Sequence, residues 1–237
     1  MLMMQPRRAA LILALAVVVL AAAFFPDVAA AHGVAKRDAA FVQSISGPAI
    51  GPFLYLGAKH MVTGYDHLLF LVGVIFFLYR LKDVLLYVSL FTIGHSVTLL
   101  LGVLGGFHAN AYIIDAIIGF SVVYKAFENM DGFRRFFGVQ PNTRAAVLVF
   151  GLFHGFGLAT KLQDFALSPN GLVANIVSFN VGVEIGQGLA LSAILIVLGY
   201  WRMHRSFLDH SFAFNAVVMA CGFLLVGYQL SGFVLEG

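Results

Sequence analysis

Charged residues are scarce in this chain, and cysteine is almost absent. Asp, Glu, Lys and Arg make up only 11% of its 237 residues, whereas about a quarter of the residues of a soluble domain are charged. Because Cys221 is the one cysteine, the chain forms neither an intrachain disulfide nor a metal site built from several thiolates. The net charge of +3 does not indicate a nucleic-acid-binding surface.

Apolar residues, by contrast, make up 61% of the chain, and the mean hydropathy is +0.94. A span needs about 20 apolar residues, and only helices and closed barrels satisfy their backbones in lipid. The segments are too continuously apolar for barrel strands. We therefore predict an all-α, polytopic membrane helix bundle, one domain over 53–237 in contact with the lipid bilayer. Its six transmembrane helices are predicted at about 53–79, 83–104, 111–128, 144–162, 172–200 and 211–233.

The N-terminal residues 1–31 have the pattern of a secretory signal peptide. Arg7 and Arg8 precede an apolar core, and Ala29-Ala30-Ala31 offers small residues for cleavage before His32. An uncleaved first helix is the alternative. The polar stretch 32–52 is predicted to be an exposed extracytoplasmic leader.

The distribution of basic residues indicates the orientation. With residue 32 outside, eight basic residues lie at inner ends and loops and four lie outside, as the positive-inside rule favours. We therefore expect a multi-pass protein of a bacterial-type inner membrane, with both mature termini extracytoplasmic.

Among the ionisable residues inside the predicted spans, six stand out because most of them lie near the centre of a span. An ionisable group there is unfavourable unless it is paired, bound to an ion or wetted by a cavity. Imidazole and carboxylate groups together suit Ni, Co, Zn or Fe(II). We therefore predict that these side chains form one site for a divalent transition metal ion. They are His60, Asp66, His67, His95, His154 and Glu184.

The first predicted span carries three of these candidates. His60 and His67 share a face two turns apart, about 10 Å on a straight helix, which is too far for both to bind one ion. Gly64 lies between them and could allow a kink that brings them together. Asp66 is expected either to ligate from a bent backbone or to orient a histidine ring. The alternative is a pair of core histidines bonded to backbone carbonyls.

The second and fourth spans each carry one further histidine near the centre. His95 is followed by Ser96, whose hydroxyl could help to hold the ring. His154 lies between Gly151 and Gly155, a pair of small residues that permits close helix packing. We predict both histidines to be metal ligands, with Ser96 supporting them.

The fifth span carries a polar stripe. Asn180, Glu184 and Gln187 lie on one helix face at i, i+4 and i+7, and such a face should point to the bundle interior. It could be a ligand set, a proton relay or a source of interhelical hydrogen bonds. We predict Glu184 as a ligand, with Asn180 and Gln187 in support. In the third span, Asp115 is expected to reach water at the outer end.

At these motifs the chain resembles the HupE/UreJ family of membrane accessory proteins linked to hydrogenase and urease. The resemblance rests on four segments and covers most of residues 53–190. It implies a cleaved signal, about six helices and a nickel or cobalt permease rather than an enzyme. The segments run from His60 to Asp66-His67, Phe91 to Ser96, His154 to Gly157 and Phe179 to Glu184.

Three functions remain open at this point. The leading prediction is transport of a divalent metal ion, nickel or cobalt first, without an ATP-driven step because the chain has no nucleotide-binding loop. The second is an intramembrane metalloenzyme whose Zn or Fe activates water for hydrolysis or oxidation of lipid. The third is an accessory protein that binds metal without transporting it. Assembly as a homo-oligomer or with metalloenzyme-maturation partners also remains open.

Overall fold

The computed structural model describes residues 43–163 and 168–236, and this part of the chain is helical with no strand. The predicted signal peptide, 1–31, and the first part of the predicted leader lie outside these residues. The helices are α1 (Ile50–Thr63), α2 (Tyr65–Ile75), α3 (Leu81–Gly105), α4 (Ala111–Asn129), α5 (Gly132–Phe137), α6 (Thr143–Gln163), α7 (Leu172–Arg202) and α8 (Ser206–Glu236).

Four of these helices are long and apolar enough to cross a membrane: α3, α6, α7 and α8. The prediction of a helical, multi-pass membrane protein agrees with them. Helix α4 coincides with the predicted third span, but its 19 residues include Asp115, Lys125 and Glu128. The predicted first span is divided into α1 and α2. The number of six spans therefore stays a prediction.

The break between α1 and α2 lies at Gly64, as the sequence predicted. Gly64 has φ −73° and ψ 102°, an extended conformation, and its N–H donates to the His60 carbonyl oxygen at the end of α1. Its own carbonyl then accepts from Leu68 N–H at the start of α2. Helix α1 packs mainly on α7, whereas α2 packs mainly on α4. The break thus transfers the chain from one helix partner to another.

Glycines set the closest helix contacts on both sides of the site. A Cβ atom at Gly57, Gly182 or Gly186 would collide with backbone across the α1–α7 interface. On the other side, a Cβ atom at Gly151 or Gly155 would collide with backbone of α3. Small residues permit such close approach between helices in membranes. The predicted packing role of the glycines beside His154 is therefore confirmed, and the glycines beside Glu184 have the same role.

Arg202, the last residue of α7, closes the C-terminal end of α2. Its guanidinium donates to the carbonyl oxygens of Ile75, Phe76 and Leu78 at 2.5, 2.7 and 3.0 Å. The last carbonyls of a helix have no partner within the helix, and a cation there is favourable. This contact fixes the short helix α2 to the end of a long one.

Candidate metal centre

Four histidine rings meet where α1 and α2 join against α3 and α6. The ring of His67 is central: its centroid lies 5.0 Å from that of His60, 6.0 Å from that of His95 and 5.0 Å from that of His154. All four residues are buried; His60, the most exposed, retains only 8% of its surface. The break at Gly64 brings His60 and His67 together, and the α3–α6 packing adds the other two.

These separations suit four rings around one ion, but the ring nitrogens do not point to a common centre. With metal–nitrogen bonds of about 2.0–2.1 Å in a tetrahedral site, two ligand rings have centroids about 5 Å apart. Within the described residues, however, no set of three or more His, Cys, Asp or Glu side chains is arranged to hold a metal ion. Binding one ion between these rings therefore requires their side chains to turn toward a common point.

A hydrogen bond orients one of the rings, and a close carboxylate contact orients a second. His154 Nδ1 lies 2.7 Å from the Phe150 carbonyl oxygen; an N–H there donates to the carbonyl and leaves Nε2 as the nitrogen for a metal. His67 Nδ1 lies 3.2 Å from Asp66 Oδ1, so Asp66 is placed to orient this ring. One nitrogen of His154 is therefore satisfied by a backbone carbonyl.

His95 provides the α3 ring of the cluster. It is 1% exposed, and neither of its ring nitrogens has a hydrogen-bond partner among the residues that the structure describes. A buried polar atom in this condition is unfavourable, so an ion or a water would stabilise it. A Cβ atom at Gly155 would collide with the His95 carbonyl oxygen, which shows how tightly α6 holds this turn of α3.

Glu184 does not join the histidines. It is exposed on α7, and the prediction that it faces the bundle interior is wrong. At 100° per residue, Glu184 lies about 40° around the helix from Asn180 and about 60° from Gln187. That rotation is enough to place it outside the contact that α7 makes with α3, while Asn180 and Gln187 stay buried.

The three predicted supporting residues tie α3 to α7. Ser96 Oγ donates to Asn180 Oδ1 at 3.2 Å, and Thr92 Oγ1 donates to Gln187 Oε1 at 2.8 Å. Of the three roles considered for the polar stripe, interhelical hydrogen bonding is the one these contacts show. Gln187 also lines a small cavity together with His67, and its Nε2 has no hydrogen-bond partner in the described part of the chain.

An aromatic layer, which the sequence interpretation missed, closes one side of the cluster. Phe70 follows His67 by three residues in α2, while Phe91 and Phe150 precede His95 and His154 by four residues in α3 and α6. The Phe91 and Phe70 ring centroids lie 5.0 and 5.4 Å from that of His154. The three phenylalanines contact one another through Phe70, at 5.3 and 5.9 Å. The regular offset of one helix turn was present in the sequence, but only the packing shows that it forms a layer.

Two buried ion pairs were also missed, one near each end of α4. Asp115, predicted to reach water, is instead 6% exposed and accepts a 2.5 Å hydrogen bond from Lys161 Nζ. Near the other end, Glu128 accepts from Lys125 Nζ at 2.6 Å and from the Thr143 hydroxyl. Lys161 is 46 residues from Asp115, so spacing alone could not pair them. Lys125 and Glu128 are three residues apart on one helix, a spacing that does indicate a pair.

The comparisons with known proteins identify a family. Neither a curated protein nor a solved structure is similar enough to the chain to match it. The family described as HupE / UreJ protein matches residues 36–237, which is most of the chain. The matched residues include all four clustered histidines and both halves of the broken helix, and the chain therefore belongs to the HupE/UreJ family.

Proposed function

We propose that this protein transports a divalent transition metal ion, nickel or cobalt, across a bacterial-type inner membrane. The family is generally associated with nickel and cobalt transport or with accessory roles. In this proposal the chain has six spans, the first of them broken at Gly64, and both mature termini are extracytoplasmic. The metal is the transported substrate.

The observation that carries the proposal is the central position of His67. Its ring has three other imidazoles at 5.0, 6.0 and 5.0 Å and a carboxylate on its Nδ1. His60, His67, His95 and His154 provide the nitrogen ligands, and Asp66 holds His67 in position. Glu184 is left out of this set because it is exposed.

A broken helix suits this role because transporters commonly build their substrate sites from discontinuous helices near the bilayer midplane. Here α1 ends and α2 begins at the site, and Asp66 lies in the first turn of α2. The positive end of the α2 dipole favours this carboxylate, and the nearby negative charge favours a cation. The extended peptide at Gly64 is the point about which the two half-helices can turn.

The aromatic layer supports passage in steps rather than an open pore. Phe70, Phe91 and Phe150 close the side of the cluster that faces the C-terminal end of α2, which is the cytoplasmic side in the proposed orientation. An ion bound at the histidines leaves inward only after these rings separate. The cavity lined by His67, Gln187 and Tyr87 offers space on that side of the bundle.

Uptake by purified protein in liposomes tests the proposal. Vesicles containing the full chain should accumulate Ni²⁺ or Co²⁺, His67→Ala should abolish accumulation, and the exposed His204→Ala should leave it unchanged. Luminal metal equal to that of protein-free vesicles, for Ni²⁺, Co²⁺, Zn²⁺ and Fe²⁺ alike, would overturn transport. Tight binding without accumulation would instead identify an accessory protein, and turnover of lipid would identify an enzyme.

A further inference from the structure

The buried Asp115–Lys161 pair lies on the opposite side of the histidines from the aromatic layer. Asp115 is in the second turn of α4, and Lys161 is two residues before the end of α6. On α6, Phe150 precedes His154 by four residues and Lys161 follows it by seven, about 10 Å further along the axis. An ion approaching the histidines from this end of the bundle would meet the pair first.

Lys161 binds only one of the two carboxylate oxygens of Asp115. Lys161 Nζ lies 2.5 Å from Asp115 Oδ2, and the side chains retain 16% and 5% of their exposure. The second oxygen, Oδ1, is buried and has no hydrogen-bond partner among the described residues. It faces Gly157, where a Cβ atom would lie 3.6 Å from it. A buried carboxylate oxygen without a partner is a place where an additional cation or its water would be stabilised.

The pair is also close enough to the histidines for their charges to interact. Asp115 interacts electrostatically with Asp66 and His67, and Lys161 does so with His60. A positive charge at Lys161 therefore opposes a second positive charge at the cluster. Removing that charge from the buried position would favour a cation at the histidines.

We propose that Asp115 is an entry site for the divalent metal ion and that the arriving ion displaces Lys161. This inference rests on the proposed transport function. The ammonium of lysine is a compact point charge on a flexible stem. In the absence of metal it therefore pairs with the Asp115 carboxylate in the position that the ion would take. Because Lys161 is near the end of α6, its stem can extend along the apolar surface and carry the ammonium to water.

A purely structural pair would behave differently. It would join α4 to α6 whether or not metal is present, and a buried ion pair of this kind is often replaceable by apolar residues with little change in stability. The displacement mechanism instead predicts that metal uncovers the lysine. It also predicts that weakening and strengthening the pair shift metal binding in opposite directions.

Amine labelling detects the displacement directly. The full-length protein in detergent is acetylated with and without Ni²⁺, and modification at each lysine is read by mass spectrometry. We expect labelling of Lys161 to rise several-fold with Ni²⁺, labelling of exposed Lys82 to stay constant, and the rise to disappear in Asp115→Asn. Unchanged labelling of Lys161 at saturating Ni²⁺ and Co²⁺ would overturn the inference.

Two substitutions at Lys161 provide the second test. Lys161→Met should lower the Ni²⁺ concentration that half-saturates uptake by roughly two- to fivefold, because the lysine ammonium no longer competes with the ion for Asp115. Lys161→Arg should raise it, because guanidinium binds carboxylate in a stronger, bidentate manner. If both variants changed the half-saturating Ni²⁺ concentration equally and in the same direction, the Asp115–Lys161 pair would have a structural role only.

The two hypotheses fail in different ways. If wild-type vesicles take up no metal, the proposed transport fails whatever Lys161 does. If wild-type uptake is normal but Lys161→Met and Lys161→Arg both leave the half-saturating concentration unchanged, only the entry site at Asp115 fails. The His67→Ala variant separates the sites further, since it should lose uptake yet keep the metal-dependent labelling of Lys161.

Discussion

The rings of His60 and His67 lie 5.0 Å apart although the two residues are seven positions apart in sequence. A continuous helix would hold them about 10 Å apart. The single extended residue between α1 and α2 therefore creates the contact on which the site depends. Gly64 occupies that position with φ −73°, so its backbone is open to any residue, and the requirement for glycine is one of space.

Gly64→Ala should weaken metal binding without unfolding the protein. The new Cβ would lie 3.0 Å from both the His60 carbonyl oxygen and His67 Nδ1, so the His67 ring and the end of α1 must shift by a few tenths of an ångström. We expect at least about a tenfold loss of Ni²⁺ affinity, as for residues that orient ligands, measured by calorimetric titration. Gly188→Ala is the matched control, because nothing lies within 4 Å of its Cβ. Wild-type affinity in Gly64→Ala would show that the break does not set the site.

Asp66→Asn should reduce metal affinity by about 10- to 100-fold, the range seen when a partner that orients a histidine ligand is removed. The amide has nearly the shape of the carboxylate, but it removes the charge that lies 3.2 Å from His67 Nδ1. Titration with Ni²⁺ measures the change. Asp209→Asn, at an exposed position in the first turn of α8, should bind as the wild type does. Equal loss in both variants would indicate a general charge effect and not a role for Asp66.

Sequence patterns predicted the local backbone features of this protein better than the directions in which its side chains point. The kink at Gly64 and the close helix contacts at the packing glycines depend on the small size of glycine, which lets backbone approach closely. Glycine can be recognised directly in the sequence. The direction of Glu184 does not follow, because a rotation of about 40° from buried Asn180 decides between inside and outside. That rotation depends on where α1 and α3 pack against α7.

Pairings between distant helices were also beyond the sequence. Asp115 and Lys161 are 46 residues apart, and each alone is typical of a charged residue near the end of a span. Only the antiparallel packing of α4 on α6 brings their side chains to the same depth in the bundle. The same holds for the Phe70, Phe91 and Phe150 layer, where ordinary apolar residues acquire a role from their position one turn beyond the histidines.

Phe70→Leu should let metal leak across the bundle. Phe70 is 2% exposed and contacts both other rings of the aromatic layer, so a smaller side chain opens the layer without introducing a polar group. We expect several-fold faster efflux of Ni²⁺ from preloaded vesicles. Phe223→Leu, at a position 55% exposed on α8, should match the wild type. Efflux unchanged in Phe70→Leu would show that the aromatic layer does not limit passage.

Arg202→Gln should destabilise the protein by at least about 2 kcal/mol, because hydrogen bonds to charged groups contribute about 1.5–3 kcal/mol each. The glutamine amide cannot reach all of the carbonyls of Ile75, Phe76 and Leu78 that the guanidinium bonds. With the end of α2 released, the position of His67 should become less defined, and Ni²⁺ affinity should fall together with the thermal midpoint. The exposed Arg205→Gln controls for loss of a positive charge at this end of the bundle. A variant at position 202 that keeps wild-type stability would show that other contacts of α2, with α4 and α8, are sufficient to hold it.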